Sequence, residues 1–361
     1  MLVYKEPFLS LIRLGIGHHA DVSLKTIDWF GIKALAERHG LSAVFLDGIE
    51  KVKTDCPIPL DLKLQWIGET LQEYEGRYKV YEKAIGEMAS FYNSHGLKMM
   101  VLKGYACSLD WPKPDHRPCG DIDIWQFGLQ KEADTLIAKE YGIIVDDSHH
   151  HHTVFTWGEF MVENHYDFIN THRHYSHRGL EKIFKELGQD DSHYVDLKGE
   201  KVYLPSPNLH ALFLIRHALN HFASTGINLR QILDWAFFAE KHTDEIDWDW
   251  LIGVLEDYHM TDFFSCLNAI CVEDLGFSSS IFHDVQSIPE VKDKVLCDIL
   301  FPKYIVKNRI ANMLKRWIGN QWKHKFCYKE SMLSALWNGA WSYLMKPRYG
   351  RLVFRSKKLI I

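Results

Sequence analysis

The pattern of apolar and polar positions divides the chain into three stretches. The first, to residue 96, has a helical period. In residues 25–41, KTIDWFGIKALAERHGL, the positions Ile27, Phe30, Ile32, Leu35 and Ala36 recur near every 3.6 residues before Gly40, a helix stop. Residues 62–96 form a longer amphipathic stretch that ends at Gly96. The period changes at Leu97. LKMMVLKG is a short apolar run closed by Gly104, the pattern of a buried strand and a tight turn. A short helix follows, then the loop WPKPDHRPCG, in which Pro112, Pro114 and Pro118 exclude regular structure. DIDIWQF predicts a second strand and KEADTLIAKEYG a helix stopped by Gly142. Two more strands, about Thr153–Trp157 and Phe160–Ile169, precede a hairpin at 198–200 that sets Val195 and Leu197 against Val202 and Leu204. From PSPNLHALFLIRHALNHF onward the period is helical again, with Ser206 as N-cap and Pro207 in the first helical position.

This pattern predicts an α+β fold. A small mixed β-sheet core spans 97–205, between an N-terminal helical region, 1–96, and a C-terminal helical region, 206–361. Composition agrees with a soluble globular protein: of 361 residues 47% are hydrophobic and 25% charged, and 13% aromatics require burial, which excludes disorder as the main state. No run of eighteen apolar residues predicts a spanning helix. The opening MLVYKEPFLSLIRLG carries Glu6 and lacks a small-residue cleavage site, so it does not read as a signal peptide. Seven cysteines lie scattered without CxxC pairs, which points to reduced thiols and a cytoplasmic location.

The net charge of −5 conceals a division. Residues 303–358 hold fourteen Lys and Arg against Glu330 alone, leaving 28 basic and 46 acidic residues elsewhere. Trp317, Trp322, Trp337 and Trp341 lie in the same basic tail. Such a tail fits a helical subdomain with solvated charges, an anionic membrane surface, a polyanion, or docking onto the acidic body. Residues 307–325, KNRIANMLKRWIGNQWKHK, are the best membrane-surface candidate, although Asn and Gln interrupt the apolar face.

Candidate chemistry centres on carboxylates. Asp121 and Asp123 are two apart on a predicted strand, so they share a face, while Ile122 and Ile124 take the other. In MVENHYDFI, Glu163, His165 and Asp167 likewise share a face. If the two strands are neighbours, Asp121, Asp123 and Glu163 form one acidic cluster, and oxygen ligands of this kind suit Mg²⁺ or Mn²⁺. A cluster beside a Gly turn and basic residues describes phosphoryl or nucleotidyl transfer. Gly120 precedes the pair, Lys103 and Gly104 end the preceding strand, and Arg117 in the Pro-rich loop suits bidentate phosphate contact. The plainer alternative is an edge strand with a solvated acidic face.

The stretch LKGYACSLDWPKPDHRPCGDIDIW resembles the bacterial family of uncharacterised nucleotidyltransferases within the DNA polymerase beta superfamily. The shared elements are Lys103, Gly104, Arg117, Gly120, Asp121 and Asp123, then Glu163, His165 and Tyr166. HALNHF and LRQILDWAFF resemble the family's helical motifs and give His217, His221, Arg230 and Asp234 as cleft-lining candidates. The resemblance covers about residues 95–260. It implies an Mg-dependent enzyme that moves a nucleoside monophosphate from an NTP to an unknown hydroxyl acceptor. Asp121, Asp123 and Glu163 would be the catalytic metal ligands, and Lys103, Gly104, Arg117 and Gly120 would hold the nucleotide. This sequence departs from the superfamily's usual Gly-Ser turn, having Lys103-Gly104 well before Asp121. Asp167 is a rival to Glu163 for the third carboxylate.

Histidine adds a second set of readings. Four of the 21 histidines are consecutive, His149 to His152. On a strand, alternation lets at most half of them converge on a metal. His217 and His221, four apart on a helix, share a face and with His210 could bind metal. HxxxH lacks the Glu of HExxH, however, so lining a cleft is the simpler role. Arg230 and Asp234 have the spacing of an i, i+4 ion pair. Two rivals to the transferase therefore stand: a catalytically silent scaffold or binding protein that keeps the fold, and a His/Asp metallohydrolase built on His149–His152, His165 and His172–His177.

Overall fold

The computed structural model describes residues 5–22, 24, 27–52, 56–172, 174–283, 286–302 and 318–345. The fold is α+β, a mixed six-stranded sheet flanked by helices. The strands are β1 (Met100–Val101), β2 (Ile122–Trp125), β3 (His152–Trp157), β4 (Phe160–His165), β5 (Tyr194–Leu197) and β6 (Glu200–Tyr203), in the order β3-β4-β2-β1-β6-β5. β2 runs parallel to β4 and antiparallel to β1, and β1 runs parallel to β6.

The chain forms two compact units that interleave in sequence. One comprises 1–79, 108–118 and 214–327; the other comprises 80–107, 119–213 and 328–361 and contains the sheet. In the first, the helix Trp29–His39 starts where the Asp28 side chain accepts from the backbone of Gly31 and stops at Gly40, φ +64°. Of its predicted apolar positions Ile32, Leu35 and Ala36 are buried, but Phe30 is 64% exposed and the neighbouring Trp29 takes the buried side. Pro207–Ser224 begins after Ser206, as Pro at the first helical position allows. The 62–96 stretch is a helix Leu60–Glu69, a π-helical segment Thr70–Gly76 and a helix Arg77–Ser94.

In the sheet unit, Met99, Met100, Val101 and Leu102 are all fully buried, although only two of them form ladder residues. The β5–β6 hairpin turns through Lys198 and Gly199, both at positive φ, the two-residue turn whose twist matches its strands. It sets Val195 opposite Val202 but Leu197 opposite Glu200, while Leu204 donates to the His193 carbonyl. The Pro-rich loop, expected to lack regular structure, contains one 3₁₀ turn, Pro114–His116. Pro114 stands at its start, where no N–H is needed. β4 stops at His165, four residues short of the expected end, and the backbone bonds explain why. The N–H groups of Tyr166 and Asp167 both donate to the His151 carbonyl, and those of Phe168 and Ile169 donate to the two oxygens of Glu181.

Of the basic tail, residues 303–317 and 346–361 lie outside the described residues, as does most of the membrane-surface candidate. In the described part, Lys323 is buried and paired with Asp298, and Trp322 lies under the Lys294 ammonium at 3.9 Å. Trp337 and Trp341 are exposed on the helix Met332–Met345. None of the described helices is long and apolar enough to cross a membrane.

Candidate active site

β2 is an interior strand, between β4 and β1, so its acidic face is not a solvated edge. Parallel pairing sets Asp123 opposite Glu163 and Trp125 opposite His165. Glu163 and His165, two apart, project to the same face as Asp123. On the other face Ile122 and Ile124 are fully buried. Asp121 lies one residue before β2 and is half-buried; its carbonyl accepts a 2.8 Å hydrogen bond from Tyr81 Oη.

Lys103 follows β1 and projects its ammonium into this cluster, with Nζ 2.8 Å from Asp123 Oδ1. Gly104 turns the chain at φ +62°. A Cβ there would stand 2.5 Å from Tyr81 Oη, so both conformation and space require glycine. Gly120 has open space around it and no such requirement. Tyr81, in the stretch read from sequence only as helical scaffold, thus supports both the turn and the start of β2. No sequence signal marked it.

The electrostatics follow from burial. Asp123 is 2% exposed. Burial alone would raise its pKa, but the charge of Lys103 and the bond from His165 Nε2, at 3.0 Å, hold it well below the usual carboxylate range. Glu163 goes the other way. Burial, reinforced by the Asp123 charge, pushes it up to about 7 against the opposing pull of Lys103 and His165. Burial likewise opposes the charge on Lys103, but Asp123, Asp121 and Glu163 together raise its pKa. The cluster holds more negative charge than its neighbours compensate, and Glu163 carries the difference.

Asp167 shares no such environment. It lies past the end of β4, and its carboxylate pairs with Lys185, while its carbonyl lies 3.2 Å from His165 Nδ1. Donor atoms of Asp123, Glu163 and His165 lie within 4.8 Å of one another, as do those of His151, His152 and His165. The convergence of two adjacent histidines departs from strand alternation, because His151 precedes β3, outside the ladder. Its carbonyl accepts from both Tyr166 and Asp167, a β-bulge whose extra residue lies just past the end of β4. Burial, with the neighbouring charge of His165 second, lowers the pKa of His152 to about 3 and that of His151 well below the ordinary value.

The other candidates lie elsewhere. Arg117 and Asp234 belong to the unit without the sheet. There Arg117 Nε and Nη2 donate to the two oxygens of Asp234, at 2.7 and 2.9 Å, and Trp111 Nε1 donates to the same carboxylate. Asp234 is therefore held by Arg117 across the chain. In the same unit the Arg230 side chain passes beside Gly40, and the rings of His217 and His221 lie 4.4 Å apart, with His221 Nδ1 3.0 Å from Thr225 Oγ1. His210, in the sheet unit, lies 3.7 Å from Cys107 Sγ. His174 stacks on Tyr328, and His177 Nδ1 donates to the Asn170 carbonyl, so these two are directed to local partners.

A family model described as uncharacterised nucleotidyltransferase matches residues 25–276. A comparison with curated proteins finds no match. Among solved structures, an antigenic nucleotidyltransferase-like protein from Paracoccidioides brasiliensis is similar at 15% identity, over 44% of this chain and 75% of that one, with a TM-score of 0.31.

Proposed function

The chain belongs to the uncharacterised nucleotidyltransferase family, and from that membership we propose that it moves a nucleoside monophosphate from an NTP to a hydroxyl acceptor with Mg²⁺ or Mn²⁺. The observation that carries this reading is the in-register pair Asp123 and Glu163, buried around Lys103 with negative charge in excess. Asp121, Asp123 and Glu163 offer oxygen donors, the set that suits a hard divalent ion, and an added cation would bring Glu163 back to its ionised form. When bound, such an ion supplies charge stabilisation at phosphoryl oxygens.

The chain's own groups would do the rest. Lys103 would meet phosphate oxygens with the ammonium it now directs at Asp123, and the Gly104 and Gly120 backbones would allow close approach of phosphate. The acceptor oxygen bonds to the α-phosphorus, the bond from that phosphorus to the bridging oxygen breaks, and pyrophosphate leaves. Glu163, ionised beside the cation, would take the acceptor's proton at a carboxylate oxygen. Arg117 serves in this reading to fix Asp234 rather than to bind phosphate.

A second reading, a silent scaffold, draws on the same ion pair, because Lys103 compensates Asp123 without a metal. One experiment separates the two. With α-labelled NTP, Mg²⁺ and cell extract, the protein transfers label and the Asp121→Asn/Asp123→Asn variant does not. Equal transfer by that variant would sink the transferase reading. Calorimetry showing no affinity for ATP, GTP, CTP or UTP would favour the scaffold.

A further inference from the structure

We propose that His151, His152 and His165, with Glu163, form a binding site for one transition-metal ion of the Zn²⁺ class, beside the oxygen cluster, sharing Glu163 with it but set apart by its three imidazoles. The geometry carries this. His152 and His165 are paired directly across β3 and β4, so their side chains lie on one face, with ring centroids 5.3 Å apart. His151, just outside the ladder, supplies the third ring, 4.4 Å from His152 and 5.5 Å from His165. Glu163 Oε2 lies between two of the imidazoles, 3.6 Å from His152 Nδ1 and 3.9 Å from His165 Nε2. Ligand atoms on a tetrahedral ion with bonds near 2.0–2.2 Å stand about 3.3–3.6 Å apart, so small movements close this set on an ion.

Two further observations agree. His152 and His165 are 6% and 2% exposed, and Nδ1 of both His151 and His152 is buried without a hydrogen-bond partner, an arrangement that an ion would satisfy. His165 Nδ1 is held by the Asp167 carbonyl, the kind of outer partner that ligating imidazoles keep on their other nitrogen, and on binding an ion Nε2 gives up the proton it now directs at Asp123. Imidazole selects Zn²⁺, Co²⁺ and related ions over Mg²⁺, so this site does not depend on nucleotide turnover.

The test uses the full chain after chelator treatment, titrated with Co²⁺ in millimolar Mg²⁺ and followed by visible absorption. One equivalent of Co²⁺ should bind with the strong bands of tetrahedral coordination, resist displacement by Mg²⁺, and give way to Zn²⁺. His151→Ala and His151→Ala/His152→Ala should each weaken binding, the double variant by about 100-fold or more. His149→Ala should bind as the parent does. Circular dichroism identifies any variant that fails to fold, and the half-buried His151 then carries the comparison alone. Absence of stoichiometric Co²⁺ uptake, octahedral spectra only, or equal affinity in a folded His151→Ala variant would overturn the proposal.

Discussion

Arg117 and Asp234, separated by 117 positions in sequence, form a buried two-point ion pair, each about 5% exposed. The planar guanidinium matches both carboxylate oxygens at once, which a lysine could not do. Removing one partner strands the other charge in the interior. Asp234→Ala should therefore lower unfolding free energy by about 3–5 kcal/mol, and Arg117→Ala by a similar amount. In a urea-denaturation double-mutant cycle the double variant should cost clearly less than the sum of the two. Additive costs would show that the pair carries no coupling.

The turn after β1 gives a second prediction. Gly104→Ala meets both a positive φ and Tyr81 Oη, so it should destabilise by about 1–3 kcal/mol. In a Tyr81→Phe background the steric part disappears and the conformational part stays. Thermal unfolding should then show a smaller penalty for Gly104→Ala in the double variant than in the single one. An equal penalty would remove Tyr81 from the account.

The third concerns pH. Asp47 accepts from His116 Nδ1 at 2.7 Å and from Lys113 Nζ at 2.6 Å, with Glu75 3.5 Å from the other ring nitrogen. Burial works against both charges, but the hydrogen bond to Asp47 raises His116 above 6.5, and those from His116 and Lys113 lower Asp47 below 3.8. The raised imidazole contributes stability that is complete below 6.5 and lost as pH rises through its folded value. The lowered carboxylate contributes stability that is complete above 3.8 and lost as pH falls through its folded value. The stability difference between the parent and His116→Gln should thus be greatest near pH 4–6 and shrink towards pH 8. A difference that grows from pH 6 to pH 8 would contradict the assignment.

Much of the sheet and its acidic face was legible in the sequence, because period-2 alternation around Ile122–Ile124 and Val162–Phe168 leaves few options for which side is buried. The neighbouring of β2 and β4 was legible only as a condition. Strand order is set by packing across residues far apart, and nothing within DIDIW names its partner. Alternation also misled at Asp167 and His151, since both lie where backbone bonds leave the ladder. The partner of Asp234 was misread for a related reason. Spacing suggested Arg230, four positions away, whereas a tertiary contact with Arg117 holds the carboxylate.

The place of His151 at the start of β3 has one more consequence, for changes in chain length. Two imidazole seats are defined by backbone pairing of 151 and 152 with residues 165–167, and the residues just before them are also histidines. Loss of one residue from this run draws the next imidazole into the vacated seat. The fourfold repeat thus acts as a reserve of side chains, so that both seats stay filled after a deletion that would empty a site built from two histidines alone.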